Sequence, residues 1–353
     1  MTFADGEVCA PGVDFFESAN SAYSRAFERA GAVRRFVSVG GEVVCLEFAG
    51  GALVPLLFPA LSHLSVAPVE APSLTVHLFD SVSTGTPMPP APWGREAYRA
   101  RGEIAGFNDG RIRTVYQPGA DSLHLYDRQR RLGLYWVRDP DDVAYWEIGA
   151  PLRSVFHWWL EEGDLQFVHG GAVGYSTGGV LLAGPGGSGK STSTLACLDS
   201  DLLYAGDDYV IVSTTGPSRV HSIYQTAKLD PRNLNRVPHL KSLVHNPDRL
   251  DREKALIFPG RRYADRVSRG FPIRALLVPR VTGRVDTRLV PSSPGVGLSA
   301  LAPTTVFQLP GDSTRIFSKI ALLVHKVPTL VLEAGTDLAQ IPTVVGRFLR
   351  ERA

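Results

Sequence analysis

Apolar residues recur every three to four positions from Val13 to Ala30, through Phe16, Ala19, Tyr23, Phe27 and Ala30, with Asp14 placed to cap the start and Gly31 to stop the end. That spacing predicts a helix with one buried aromatic stripe. Residues 35–39 and 42–48 flank Gly40-Gly41 and read as a β-hairpin. Residues 74–79 alternate as a strand, and 81–93, with prolines at 87, 89, 90 and 92, read as a loop. Short strands follow at 111–116, 122–126 and 133–137. Together these predict a small α+β domain over residues 1–147 with a mainly antiparallel sheet.

The pattern changes near Pro140. A helix is expected over 151–162, a short strand over 165–168, then His169-Gly170-Gly171, then an apolar strand over 179–183. A helix over 191–198 and an apolar strand over 202–205 follow, the latter ending at Asp207-Asp208. Strand, loop, helix, strand is the α/β grammar of a nucleotide site, here assigned to a second domain over 148–353. Further on, 224–229 is strand-like and carries Lys228, 273–278 and 329–333 read as strands, 301–305 as a loop, and 315–324 and 341–351 as helices.

A chain of 353 residues suits two domains, and 44% hydrophobic with 20% charged residues is ordinary globular usage, which excludes wholesale disorder. The net charge of +2, from 37 basic and 35 acidic side chains, supplies no electrostatic case for nucleic acid or a membrane surface as partner. Cys9, Cys45 and Cys197 show no CxxC and no zinc spacing, so reduced thiols in a reducing compartment are expected. Residues 1–10 contain Asp5 and Glu7 and no basic residue, unlike a signal peptide, and the apolar stretch 52–67 is broken by Pro55, Pro59, Ser62 and His63. The expectation is a soluble cytoplasmic protein. Lysine is scarce: all six, Lys190, Lys228, Lys241, Lys254, Lys319 and Lys326, lie in the second half.

The candidate chemistry starts at Gly184-Pro185-Gly186-Gly187-Ser188-Gly189-Lys190-Ser191, which matches G-x-x-x-x-G-K-[ST] between an expected strand and an expected helix. Glycines let consecutive N–H groups turn inward as an anion nest, and a helix N-terminus adds partial positive charge. Lys190 is placed to reach the β- and γ-phosphates, Ser191 to offer a hydroxyl to Mg²⁺, and Thr192 to complete the nucleotide-binding run. The segment alone does not name a reaction. No LSGGQ-like, NKxD, HRD or DFG segment is present, which argues against ABC-type ATPases, Ras-like GTPases and eukaryotic-type protein kinases. Asp207-Asp208, at the carboxyl end of a strand, can divide metal binding and general-base work between two carboxylates. His169 can orient a carboxylate and tune its proton affinity.

His169-Gly170-Gly171-Ala172-Val173, the phosphate loop and Tyr204-Ala205-Gly206-Asp207-Asp208 together resemble the catalytic domain of bacterial HPr kinase/phosphorylase, in order and in spacing, with 21 residues from His169 to Lys190 and 17 from Lys190 to Asp207. The resemblance implies a P-loop fold similar also to phosphoenolpyruvate carboxykinase. It implies Asp207 as the base that activates a hydroxyl, His169 as its partner, and Asp208 as a metal ligand. The likeness is sharp over 165–210, looser to about 350, and absent from the first 145 residues. The further acidic Mg²⁺ ligand of that enzyme has no clear counterpart: the region reads Lys228-Leu229-Asp230-Pro231-Arg232-Asn233, with Asp230 the nearby carboxylate. The chain therefore looks closer to the HPr-kinase-like serine kinases outside sugar regulation, some of which modify ribosomal-peptide precursors such as those of lasso peptides.

Lys228 and Lys254 are candidates to neutralise charge on a transferring phosphoryl group, and Arg261 and Arg262 to hold a phosphate or an acidic substrate. His221, His239 and His245 show no metal spacing and read as surface residues. The leading expectation is an ATP- and Mg²⁺-dependent kinase for an alcoholic hydroxyl, with a serine of a peptide or protein as acceptor. A small-molecule kinase with the same site and a nucleotide-gated regulator without transfer stand as alternatives. No base-reading motif separates ATP from GTP. Oligomeric state stays open, the resemblance implying a homo-oligomer.

Overall fold

The computed structural model describes residues 11–352, so Cys9 and the reading of residues 1–10 lie outside the described residues. The first helix spans Pro11–Ala30 and buries Phe16, Ala19, Tyr23 and Ala26 on one stripe. Strands β1 (Ala32–Val39), β2 (Glu42–Ala49), β3 (Leu74–Asp80), β4 (Ile112–Gln117), β5 (Ser122–Asp127) and β6 (Leu132–Val137) form a six-stranded sheet in the order β1-β2-β3-β6-β5-β4. The hairpin falls where Gly40 and Gly41 take φ of +62° and +100°. The sheet is mixed rather than mainly antiparallel, because β3 runs parallel to both of its neighbours. The long 81–111 segment, which returns the chain to the far edge, makes that crossover feasible.

The second sheet has nine strands: β7 (Leu165–Val168), β8 (Gly171–Tyr175), β9 (Gly178–Leu182), β10 (Leu203–Gly206), β11 (Val210–Ser213), β12 (Arg219–His221), β15 (Gly270–Val281), β16 (Arg288–Pro291) and β17 (Thr329–Ala334). A separate ribbon pairs β13 (Ala227–Leu229) with β14 (Ala255–Ile257). Strand β15 carries the sheet: its start pairs with β12 and its remainder lies between β9 and β17, parallel to both. Strands β9 and β10 point the same way but are not neighbours, since β8 lies antiparallel between them. Both open at the same edge of the sheet, so the loop after β9 and the acidic pair after β10 face each other across the end of β8.

One apolar core runs unbroken from Val37, Leu46 and Leu74 through Phe156 and Trp158 of the helix Arg153–Glu161 to Phe167 and Ile211. A second cluster, with Leu182, Leu195, Tyr204, Leu277 and Phe348, supports the helix Lys190–Ala196. Two sequence expectations differ from the structure here. Residues 301–305 lie in the helix Pro294–Val306 with Pro303 inside it, because burial of Leu301, Thr305 and Val306 outweighs the hydrogen bond that proline cannot donate. His221 and His239 are half-buried rather than fully exposed: His221 shares a hydrogen bond with Ser213 and burial lowers it to about 4, while His239 lies 3.3 Å from Asp199. Among the described residues no helix is long and apolar enough to cross a membrane. Cys45 and Cys197 are buried free thiols, pushed up to about 11 and about 12 by burial.

Candidate active site

Strand β9 delivers the chain into Gly184, and the helix Lys190–Ala196 starts six residues later. Between them Gly187 and Gly189 take φ of +80° and +97°, a left-handed geometry that a side chain would strain. The loop folds back on itself: Ser188 N–H donates to the Pro185 carbonyl at 3.2 Å, and the Ser188 hydroxyl lies so close to Gly184 that a Cβ there would sit 2.8 Å from it. The Ser188 Oγ is buried without a hydrogen-bond partner among the described residues. Lys190 is 7% exposed, and its ammonium donates to the Gly184 carbonyl at 2.7 Å, spanning the mouth of the loop. Burial lowers its proton affinity, against the pull of Asp207 and Asp208. Gly186 lies in the same turn, and Thr192 is buried in the first turn of the helix.

Strand β10 ends at Gly206, and the two carboxylates that follow take opposite directions. Asp207 is 1% exposed and lies close enough to Ser191 for that side chain to favour its ionised form, with the Lys228 N–H 3.4 Å from Oδ2. Its Oδ1 is buried with no partner among the described residues. Burial first, and then neighbouring Asp208, push its carboxyl up to about 6. Gly171 makes room for it, because a Cβ at that position would lie 3.2 Å from Oδ1 and collide with Thr194.

Asp208 has φ of +67° and turns the other way. Its Oδ1 lies 3.2 Å from Nε2 of His169, and its Oδ2 accepts from the Lys228 ammonium at 2.8 Å. Burial pushes this carboxyl up, but the Lys228 and His169 contacts overcome that and hold it well below the usual carboxylate range. The histidine is fixed from behind: its backbone N–H donates to the Thr305 hydroxyl at 3.1 Å, and its ring lies 5.4 Å from that of Tyr209.

The structure thus brings together the phosphate loop, Lys190, Ser191, Asp207, Asp208, His169 and Lys228. The contact implied between His169 and Asp207 is not formed, and the imidazole meets Asp208 instead. Lys254 is exposed, yet its charge reaches Lys190 and lowers it further. Asp230 lies outside the carboxylate pair, capping the turn 231–236 and pairing with Arg232 at 2.8 Å. Arg261 and Arg262 are exposed and stack on Phe258 and Tyr263, away from the loop.

Residues that sequence reasoning missed complete the surroundings. Arg153 is half-buried, donates to the Tyr209 hydroxyl at 2.9 Å and stacks 5.1 Å from that ring. The Tyr209 hydroxyl donates in turn to Gln308 at 2.9 Å. Tyr209 follows the aspartates directly and could have been noted for that. Nothing in the order of residues places Arg153 there, since it reaches the site from a helix that precedes the loop by some 30 positions.

The donor set fits a phosphate group and a hard divalent cation. Lys190 and the glycine-rich turn offer positive charge and N–H groups, and the orphaned Ser188 hydroxyl adds a donor. The orphaned Asp207 oxygen beside the Ser191 hydroxyl offers oxygen ligands of the kind Mg²⁺ takes while keeping waters and substrate phosphates.

No family model and no curated protein matches the chain. A solved structure of the Hpr(Ser) kinase/phosphatase from Coxiella burnetii is similar over 53% of this chain and 97% of that one, at 14% identity and a TM-score of 0.30. At that TM-score the likeness carries no weight for fold or for activity.

Proposed function

We propose that this chain is a kinase of the HPr-kinase-like type, transferring the γ-phosphoryl group of ATP, with Mg²⁺, to an alcoholic hydroxyl, a serine of a peptide being the favoured acceptor. The observation that carries this reading is the split acidic pair: Asp207 is buried near the serine of the phosphate loop, and Asp208, one residue on, touches a histidine and a lysine. A pure nucleotide binder has no need of the second arrangement. Bound Mg²⁺ would spread the charge that develops on the transferring group.

The contacts favour an exchange of the roles that the resemblance implies. Asp207, with its free oxygen beside Ser191, is the metal-side carboxylate. Asp208, whose side chain is 22% exposed, is the proton acceptor for the incoming hydroxyl, with His169 orienting it. Lys228 keeps Asp208 ionised, and therefore able to take a proton, at neutral pH. Lys190 and the loop N–H groups hold the phosphates in line.

The test compares Asp207→Asn with Asp208→Asn for nucleotide affinity, for the Mg²⁺ concentration that half-saturates, and for transfer. Asp207→Asn should raise the Mg²⁺ requirement by about tenfold or more. Asp208→Asn should leave nucleotide affinity within about twofold and slow transfer by about 10² to 10⁴. Full transfer by Asp208→Asn would return the base role to Asp207. ATP turnover with no transfer to any acceptor would favour a nucleotide-gated regulator.

A further inference from the structure

A cavity of about 290 Å³ opens between the first half of the chain and the loop 245–253. Its floor is apolar, with Leu56, Val143 and Ile148, and its rim carries three carboxylates, Asp141, Asp248 and Glu253, against one guanidinium, Arg249. Glu253 is engaged by Asn246 at 2.9 Å and lies 3.8 Å from Arg249. Asp141 and Asp248 are exposed and have no ion-pair partner among the described residues, since neighbouring Arg138 goes to Asp121 and Asp142.

The short helix Tyr145–Gly149 links the cavity to the reactive carboxylate. Tyr145 lines the cavity and lies within electrostatic reach of both Glu253 and Asp208. At the other end of that helix Gly149 packs so closely on the Lys228 stem that a Cβ would sit 3.1 Å from it. An occupant of the cavity thus leans on the element that backs the Lys228–Asp208 pair.

We propose that this cavity seats the residues flanking the acceptor serine, an apolar side chain on the floor and a lysine or arginine on the acidic rim, so that the substrate is a basic, partly apolar peptide segment. This rests on the kinase reading above. Two unpaired rim carboxylates repel an acidic segment and attract a basic one, and in a chain whose net charge is only +2 that bias is local. The apolar floor asks for more than a small polar alcohol offers.

The probe is a pool of octapeptides with one fixed serine and randomised flanks, offered to the full chain in two arms: nucleotide-free capture on immobilised protein, and phosphorylation with ATP and Mg²⁺ read by mass spectrometry. Captured and phosphorylated peptides should be enriched about threefold or more in lysine, arginine and leucine. The double variant Asp141→Lys with Asp248→Lys should lose or invert the charge preference, with apparent affinity for basic peptides down about tenfold. The exposed, remote Glu28→Lys should change nothing. Phosphorylation without charge preference, or transfer only to small alcohols, overturns the peptide seat and leaves the kinase reading standing. Charge-selective capture with no phosphorylation in the second arm overturns the kinase reading and leaves the seat.

Discussion

Nε2 of His169 lies 3.2 Å from Oδ1 of Asp208, while the adjacent Asp207 makes no contact with that ring and is buried near Ser191. Successive side chains leaving a strand point to opposite faces. The left-handed backbone of Asp208, φ +67°, completes the turn away from the phosphate loop. Two identical residues thereby acquire different surroundings and opposite proton affinities.

Lys190 is the least replaceable charge in the site. Lys190→Ala should weaken nucleotide binding and abolish transfer, a loss of about 10² or more. Titration with a fluorescent ATP analogue checks binding, and unchanged affinity would remove Lys190 from the phosphate role.

Asp207 gives a pH dependence of stability with a definite sign. Its carboxyl is raised to about 6 in the fold, against about 4 in an unfolded chain. The folded state therefore holds more protons than the unfolded state between those values, and stability falls as pH rises through that window. Asp207→Asn relieves a cost of about 3 kcal/mol above pH 6, before subtracting what its hydrogen bond from the Lys228 N–H contributes. In melts without nucleotide or metal, the variant should exceed the parent at pH 8 and converge with it near pH 4. A gap of the same size at both pH values would count against the burial cost.

Lys228 acts through Asp208. In Lys228→Met the attraction that offsets burial is gone, so the Asp208 carboxyl rises. The acidic limb of the transfer-rate profile should move to higher pH, and Lys228→Arg should keep it nearly in place. An unmoved limb in Lys228→Met would mean that Asp208 is not the titrating base.

Lys319 belongs to no motif in the sequence, and the fold gives it a structural place. It is 9% exposed, and its ammonium donates to the carbonyls of Glu161, Gly163 and Leu165 at 3.1, 2.7 and 3.0 Å. It satisfies the end of the helix Arg153–Glu161. Burial lowers it to about 8. Lys319→Met should cost about 3 kcal/mol in urea unfolding, with nucleotide affinity of the folded protein unchanged. A stability loss below about 1 kcal/mol would show the three contacts to be incidental.

The phosphate loop was legible because its chemistry is local. Consecutive glycines, a lysine and a serine must be adjacent in the chain to form a nest, so their order is the structure. The first helix, the Gly40-Gly41 hairpin and the short strands were legible for a similar reason, since their periodicity and turn residues act over a few positions. Strand direction was not: β3 takes two parallel neighbours because of two crossovers, over residues 50–73 from β2 and 81–131 to β6, which no short window records. Pro303 misled, because its burial inside a helix depends on what packs over it.

Within the site the sequence determined which groups are present: one phosphate loop, two adjacent carboxylates and a histidine ahead of them. Only the tertiary structure decided the pairing. Adjacency in sequence says that Asp207 and Asp208 diverge, but which of them meets His169 depends on where β8 and β10 lie across the sheet. Lys228 reaches Asp208 because the β13–β14 ribbon folds over that edge, and Arg153 reaches Tyr209 from a helix buried in the shared core. Electrostatic energies depend on distance and burial, quantities that arise only once separate segments of the chain meet.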